Sequence, residues 1–304
     1  MKLGFIFAGQ GAQYVGMGKE LYEQYEVARD VFNQAHIDID VKKVCFEGPE
    51  DILNETSYAQ PCLLTTSLAI ARVIESYGIY PDYVAGLSLG EYSALTYAGA
   101  FDLQDAIAIV RRRGQLMSEA LPAGTTSMAA VLAMDASRIE DVIKDIDDVT
   151  IANYNCPGQI VITGKKEAVE KASEKLKEAG AKRVIPLKVS GAFHSPLLED
   201  ASMKLKAELE KYDIHQPQIP VVYNISGKEE DGNLIDILTK QIKSSVYFYQ
   251  SLQYMIAHGV EAFVEIGPGK ALSAFVKKTD KTIPVYSVDS IESLNQLLGA
   301  LKDE

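Results

Sequence analysis

The chain has 304 residues, enough for one large or two modest domains around a substantial apolar core. Its net charge of −12 argues against non-specific attraction to nucleic acid or anionic membranes, so an anionic substrate would need a local basic contact. No stretch approaches the length of a membrane span and the N-terminus lacks a cleavage pattern, so a cytoplasmic protein without a membrane or nucleic-acid partner is expected.

Residues 3–7 read as a buried strand that runs into the loop Ala8-Gly9-Gln10-Gly11-Ala12-Gln13. Helical periodicity covers 18–35 and, after a Pro-containing loop, 60–77. Tyr83-Val84-Ala85 is a short apolar strand and Glu91-Tyr92-Ser93-Ala94-Leu95 a helix, with Gly86-Leu87-Ser88-Leu89-Gly90 between them. A serine on a sharp strand-to-helix turn is a nucleophile elbow: the glycines permit the turn and the hydroxyl projects above the sheet edge. The alternative is an ordinary Gly-rich turn. A further helix is predicted over 103–120, with Asp102 as its N-cap.

Segments 127–133, 136–144, 149–154, 159–163, 166–179 and 182–187 then follow in the order β-α-β-β-α-β, around the turn cluster Asn155-Cys156-Pro157-Gly158. That is the order of a ferredoxin-like unit, and it predicts a small domain over 125–196 inserted into a large catalytic domain of 1–124 and 197–304. Helix 196–212, strand 220–223, further helices, strand 262–265 and a last α-β-α run complete the chain. The expected fold class is α/β: a mostly parallel, α/β-hydrolase-like sheet with a nucleophile elbow, plus the inserted ferredoxin-like (βαββαβ) unit.

A serine nucleophile needs a base. Of the four histidines, His36, His215 and His258 read as structural or solvated. His194 lies in Ser190-Gly191-Ala192-Phe193-His194-Ser195-Pro196, a loop between a strand and a helix, where function concentrates. It is the candidate base, against the alternative of a satisfied loop histidine. Asp102, Asp105 and Asp135 lie between serine and histidine, but none stands out as the orienting acid, which leaves a backbone or amide carbonyl open.

In Arg111-Arg112-Arg113, a helical step of about 100° places Arg113 within the apolar stripe and turns Arg111 and Arg112 away from it. An arginine in an apolar stripe needs an anionic partner, either an internal carboxylate or the carboxylate of a substrate. The glycine spacing of the 9–13 loop is wrong for a dinucleotide site, but a loop beside an elbow can supply an oxyanion-hole amide. Cys45, Cys62 and Cys156 are far apart and odd in number, which reads as buried free thiols in a reducing compartment.

Taken together, the 9–13 loop, Gly86–Leu95 with its elbow, Arg113-Gly114, Asn153-Tyr154-Asn155-Cys156-Pro157-Gly158-Gln159, Gly191-Ala192-Phe193-His194-Ser195 and Glu265-Ile266-Gly267-Pro268-Gly269 resemble the malonyl-CoA:acyl carrier protein transacylases of fatty-acid synthesis and the acyltransferase domains of polyketide synthases. The resemblance covers essentially the whole chain. It implies Ser88 as acyl-carrying nucleophile, His194 as base, the amides of Gln10 and Leu89 as oxyanion hole, and Arg113 as the malonyl-carboxylate contact. It implies that the main-chain carbonyl of Gln241 orients His194, and that Phe193 follows the malonyl-accepting pattern. Leu87 departs from the histidine of many relatives.

The expected reaction is ping-pong malonyl transfer from malonyl-CoA to the phosphopantetheine thiol of acyl carrier protein, by a monomer, with no metal or redox cofactor. A discrete acyltransferase of a polyketide synthase, a serine thioesterase or esterase, and a non-catalytic carrier-binding scaffold are the competing readings. Lys182, Arg183, Lys188 and Lys270 are candidate contacts for an acidic carrier.

Overall fold

The computed structural model describes residues 1–189 and 191–302; Ser190, first residue of the expected His194 loop, lies outside them. The chain opens with β1 (Leu3–Phe7), α1 (Lys19–Gln24), α2 (Glu26–Asn33), α3 (Val41–Glu47), α4 (Glu50–Asn54), α5 (Thr56–Ser76), β2 (Tyr83–Gly86), α6 (Leu89–Tyr97) and α7 (Leu103–Glu119). It continues with β3 (Thr126–Leu132), α8 (Ala136–Ile143), β4 (Val149–Cys156), β5 (Gln159–Lys165), α9 (Lys166–Glu178) and β6 (Arg183–Pro186). A tight 3-10 turn, Pro196–Leu198, leads into α10 (Glu199–Leu209), β7 (Val221–Val222), α11 (Leu234–Gln241), α12 (Phe248–Ala257), β8 (Ala262–Ile266), α13 (Ala271–Thr279), β9 (Val285–Val288) and α14 (Ile291–Lys302).

The strands form two separate sheets. The first has the order β7-β2-β1-β8-β9, and every pairing in it is parallel. Every residue of β1 and β8 is buried, as expected of strands covered by helices on both faces. The second has the order β4-β5-β3-β6, all antiparallel. Its strands alternate: Ala129 and Val131 of β3 face an apolar layer with α8 and α9, whereas Met128 and Ala130 join the core of the parallel sheet. The two sheets are also joined by main chain. Val246 N–H donates to Ala152 O at 2.7 Å, and Tyr154 N–H to Val246 O at 2.9 Å.

Several elements differ from the sequence reading. The helix expected over 18–35 breaks at Tyr25, which is extended at φ −115° and ψ 123°. Apolar periodicity on both sides conceals one non-helical residue. Helices α3 and α4 were not anticipated. The 60–77 helix begins earlier, at Thr56, and contains Pro61. Proline cannot donate to the carbonyl four residues back. Here the Arg111 guanidinium does so, at 2.8 Å from Ser57 O, while also gripping Asp38 through Nε and Nη2. Asp102 does occupy the N-cap of α7, but its side chain makes no capping bond. The 196–212 helix is split, with the 3-10 turn preceding α10.

Candidate active site

Ser88 stands between β2 and α6 with φ 55° and ψ −105°, a conformation costly for a residue with a Cβ. The turn is built by close backbone approach. A Cβ on Gly86 would lie 1.9 Å from the Gly90 carbonyl carbon, and one on Gly90 would lie 2.1 Å from Phe7 O. Gly9 packs against the same turn, since its Cβ would meet Leu87 O at 2.5 Å. This contact brings the loop after β1 beside the serine. Leu89, the first residue of α6, has an N–H without an intrahelical acceptor. The Gln10 side chain donates from Nε2 to Thr56 Oγ1 at 3.0 Å.

His194 also has a positive φ, 57°, and is buried. Its Nε2 lies 2.7 Å from Ser88 Oγ and its Nδ1 2.9 Å from the Gln241 carbonyl oxygen. A carbonyl can only accept, so Nδ1 carries the proton and Nε2 is free to accept from the serine. Burial, reinforced by the positive charge of Arg113, pushes the imidazole down to about 4, against the weaker opposing pull of the Gln241 and Ser244 carbonyls. The ring is therefore a neutral base over a wide pH range.

Arg113 is fully buried. Its Nη1 donates to Gln60 Oε1 at 2.9 Å, and its Nη2 to Gln241 Oε1 at 3.0 Å and Ser88 Oγ at 3.3 Å. The guanidinium carbon lies 5.1 Å from the centre of the Tyr92 ring. Among the described residues, none of the ion pairs includes Arg113. Its Nε has no hydrogen-bond partner. The two partners left open by the sequence are thus distinguishable: the protein surrounds this cation with amide oxygens and a ring face, not with a carboxylate in contact.

A cleft of about 540 Å³ opens over Ser88 and His194. Gln10, Leu87 and Phe193 line it on the parallel-sheet side, and Met128, Asn153, Asn155 and Val161 on the antiparallel side. The fold thus brings Ser88, His194, Gln10 and Phe193 to one cleft, and Arg113 and Gln241 directly beneath it. Lys188 also lines the cleft. Lys182 and Arg183 are exposed at the start of β6, whereas Lys270 lies on a different surface depression with Lys277. His36, His215 and His258 do not line the cleft.

Three polar residues of the site escaped the sequence reading. Asn224 ties the Ser88 turn to Gln241, Gln60 holds Arg113, and Glu91 is completely buried behind them. Asn224 carried a signal, as a polar residue just past a short apolar strand. Glu91 reads from sequence as a surface acid complementing a helix N-terminus. Only its apolar neighbours hint at burial.

The chain is an acyl transferase: the acyl transferase domain model matches residues 4–303. A malonyl CoA-acyl carrier protein transacylase of Bacillus subtilis is 46% identical over 311 residues, spanning 100% of this chain and 98% of its own. The crystal structure of a malonyl CoA-acyl carrier protein transacylase from Clostridium perfringens superposes with a TM-score of 0.97 at 44% identity, over 100% of this chain and 98% of that one. A malonyl-transacylase solved in complex with its type II PKS acyl-carrier protein superposes at 0.95, with 37% identity and 100% coverage of both chains. The chain belongs to the malonyl CoA-acyl carrier protein transacylase family.

Proposed function

We propose the following assignment of roles for malonyl transfer from malonyl-CoA to acyl carrier protein in fatty-acid synthesis, the activity of the family. Ser88 Oγ attacks the thioester carbonyl while His194 Nε2 takes its proton. The amides of Gln10 and Leu89 hold the oxyanion, a contribution of about 2.7–4 kcal/mol per donor in comparable sites. Coenzyme A leaves with the proton returned by His194, and malonyl remains as an ester on Ser88. The phosphopantetheine thiol of the carrier then gives its proton to His194 and attacks the ester, which regenerates the serine. The thioester is already activated, so the scheme calls for no metal or redox cofactor.

The observation that carries this reading is the buried Arg113, 3.3 Å from the nucleophile and without a carboxylate in contact. A malonyl carboxylate would supply that missing anion. Phe193 and Leu87 shape the pocket around it. In the same reading the turn at Ser88 is the nucleophile elbow of a hydrolase-like sheet. Residues 125–196 form the inserted ferredoxin-like domain, and 1–124 with 197–304 the catalytic one. The enzyme is a cytoplasmic monomer. Mass spectrometry after incubation with malonyl-CoA tests the assignment: one malonyl adduct on the wild type and none on Ser88→Ala is the expected result. An adduct retained by the variant rules Ser88 out.

The relative bound to a type II PKS carrier supports a second reading of the acceptor. Comparing kcat/KM for fatty-acid and polyketide carriers separates the two. Lys182, Arg183 and Lys188 are the basic residues placed to meet an acidic carrier, Lys188 at the cleft itself.

A further inference from the structure

The strained turn at Ser88 continues a strand whose partner runs out. The last backbone pair between β2 and β7 is Ala85↔Val222. Beyond it the carboxamide of Asn224 takes over the pairing: Nδ2 donates to Gly86 O at 2.7 Å, and Oδ1 accepts the Ser88 N–H at 2.8 Å. A side-chain amide offers one donor face and one acceptor face, as a peptide unit does. The backbone of Asn224 is itself fixed. Its N–H donates to Glu91 Oε2 at 2.5 Å, and its carbonyl accepts from Tyr247 N–H at 2.8 Å.

The same carboxamide reaches the base and the cation through Gln241. Gln241 Nε2 donates to Asn224 Oδ1 at 3.3 Å and to Ser88 O at 2.8 Å. Its Oε1 holds Arg113 and its main-chain oxygen holds His194. Asn224 has no exposed surface and does not line the cleft, so it touches no substrate.

We infer that Asn224, braced by Glu91, is a positioning residue that sets the strained backbone of the nucleophile and locks it in register with the Gln241 that orients His194 and Arg113. The inference rests on Ser88 being the nucleophile, so the wild-type and Ser88→Ala adduct measurement is run alongside it. Loss of that adduct pattern defeats the assignment of roles. Retention leaves the inference to its own test.

That test is single-turnover acylation by malonyl-CoA, with thermal unfolding measured in parallel. Asn224→Ala is expected to slow acylation about 10²-fold, the scale of a slight misplacement of reacting groups, while KM for malonyl-CoA changes by less than about threefold. Asn224→Asp supplies a readout that a merely structural role would not move. A neutral carboxyl has one donor and one acceptor, but its anion cannot donate to Gly86 O. The variant-to-wild-type rate ratio is therefore expected to rise at least about tenfold from pH 8 to pH 5.5. A rate for Asn224→Ala within about threefold of wild type overturns the inference. So does a pH-independent ratio for Asn224→Asp, which decides the matter alone if the alanine variant fails to fold.

Discussion

Arg113 Nη2 lies 3.3 Å from Ser88 Oγ, so the buried cation and the serine hydroxyl share a hydrogen bond. A substrate carboxylate that pairs with the guanidinium must settle within reach of the serine. Arg113→Ala is expected to lower kcat/KM for malonyl-CoA by about 10²-fold or more, matching the roughly 2–5 kcal/mol lost when one partner of a buried charge pair is removed. Acetyl transfer should fall far less, because acetyl never used the contact. Equal losses with both thioesters would remove the specificity role.

The neutral state of His194 predicts the acid limb of the reaction. Burial first, and the Arg113 charge second, hold its pKa down at about 4, well below the ordinary histidine range. With His194 as the proposed base, acylation requires the unprotonated ring, so the rate should fall only as pH drops through about 4 and stay flat above about 5. Single-turnover acylation measured against pH checks this. A midpoint near the ordinary histidine value would show that the ring is solvated in the working enzyme.

Glu91 bears on stability. Its burial raises the carboxyl pKa from the ordinary 4.5 to about 8, against the Asn224 amide and the Arg113 charge, which lower it. Between those values the folded protein keeps a proton that the unfolded chain has lost, so this residue makes stability fall as pH rises from about 4.5 to 8. Glu91→Gln removes that slope. The stability gained relative to wild type between pH 5 and pH 8 should reach on the order of 4 kcal/mol, as measured by denaturant unfolding. Parallel pH profiles for the two proteins would contradict it.

Two glycines should respond in opposite ways to alanine. A Cβ at Gly90 would lie 2.1 Å from a backbone oxygen, whereas one at Gly299 in α14 would meet nothing within 4 Å among the described residues. Gly90→Ala is expected to cost about 3 kcal/mol or more and to abolish acylation, since Phe7 O and the Ser88 turn must separate. Gly299→Ala should stabilise by about 0.5–1 kcal/mol through the lower entropy of the unfolded chain. Thermal unfolding of both variants distinguishes backbone collision from a general dislike of substitution.

Much of this was legible in the residues. Apart from α3 and α4, most of the order of strands and helices followed from periodicity, and Ser88, His194 and Arg113, which the fold brings together, stood out by local chemistry: a serine on a Gly-rich strand-to-helix turn, a loop histidine, and an arginine in the wrong stripe. The Tyr25 break was not legible, because one extended residue leaves the apolar spacing on either side unchanged. The roles of Asn224 and Gln60 were not legible either, although Asn224 stands out as a polar residue just past a short apolar strand. Their roles depend on partners 136 and 53 residues away in sequence, Ser88 and Arg113, and no local pattern encodes such contacts. The orienting group of His194 is a main-chain oxygen, which any residue possesses, and only the family resemblance singled out Gln241.

The main-chain bridge between β4 and Val246 has a consequence for solubility. An antiparallel sheet ends in two rows of unpaired peptide groups that invite another chain to add itself. Along β4, Val246 takes up the Ala152 carbonyl and the Tyr154 amide, and Ser245 Oγ donates to Ile151 O at 2.6 Å. That edge is closed by the same chain that carries Gln241. Among the described residues no strand pairs with β6 on its outer side; β6 is short, begins at Arg183, ends at Pro186 and is flanked by Lys182 and Lys188. One border is covered over Ile151–Tyr154 by hydrogen bonding and the other carries charge and proline, both features that oppose the addition of a further strand to the sheet that roofs the cleft.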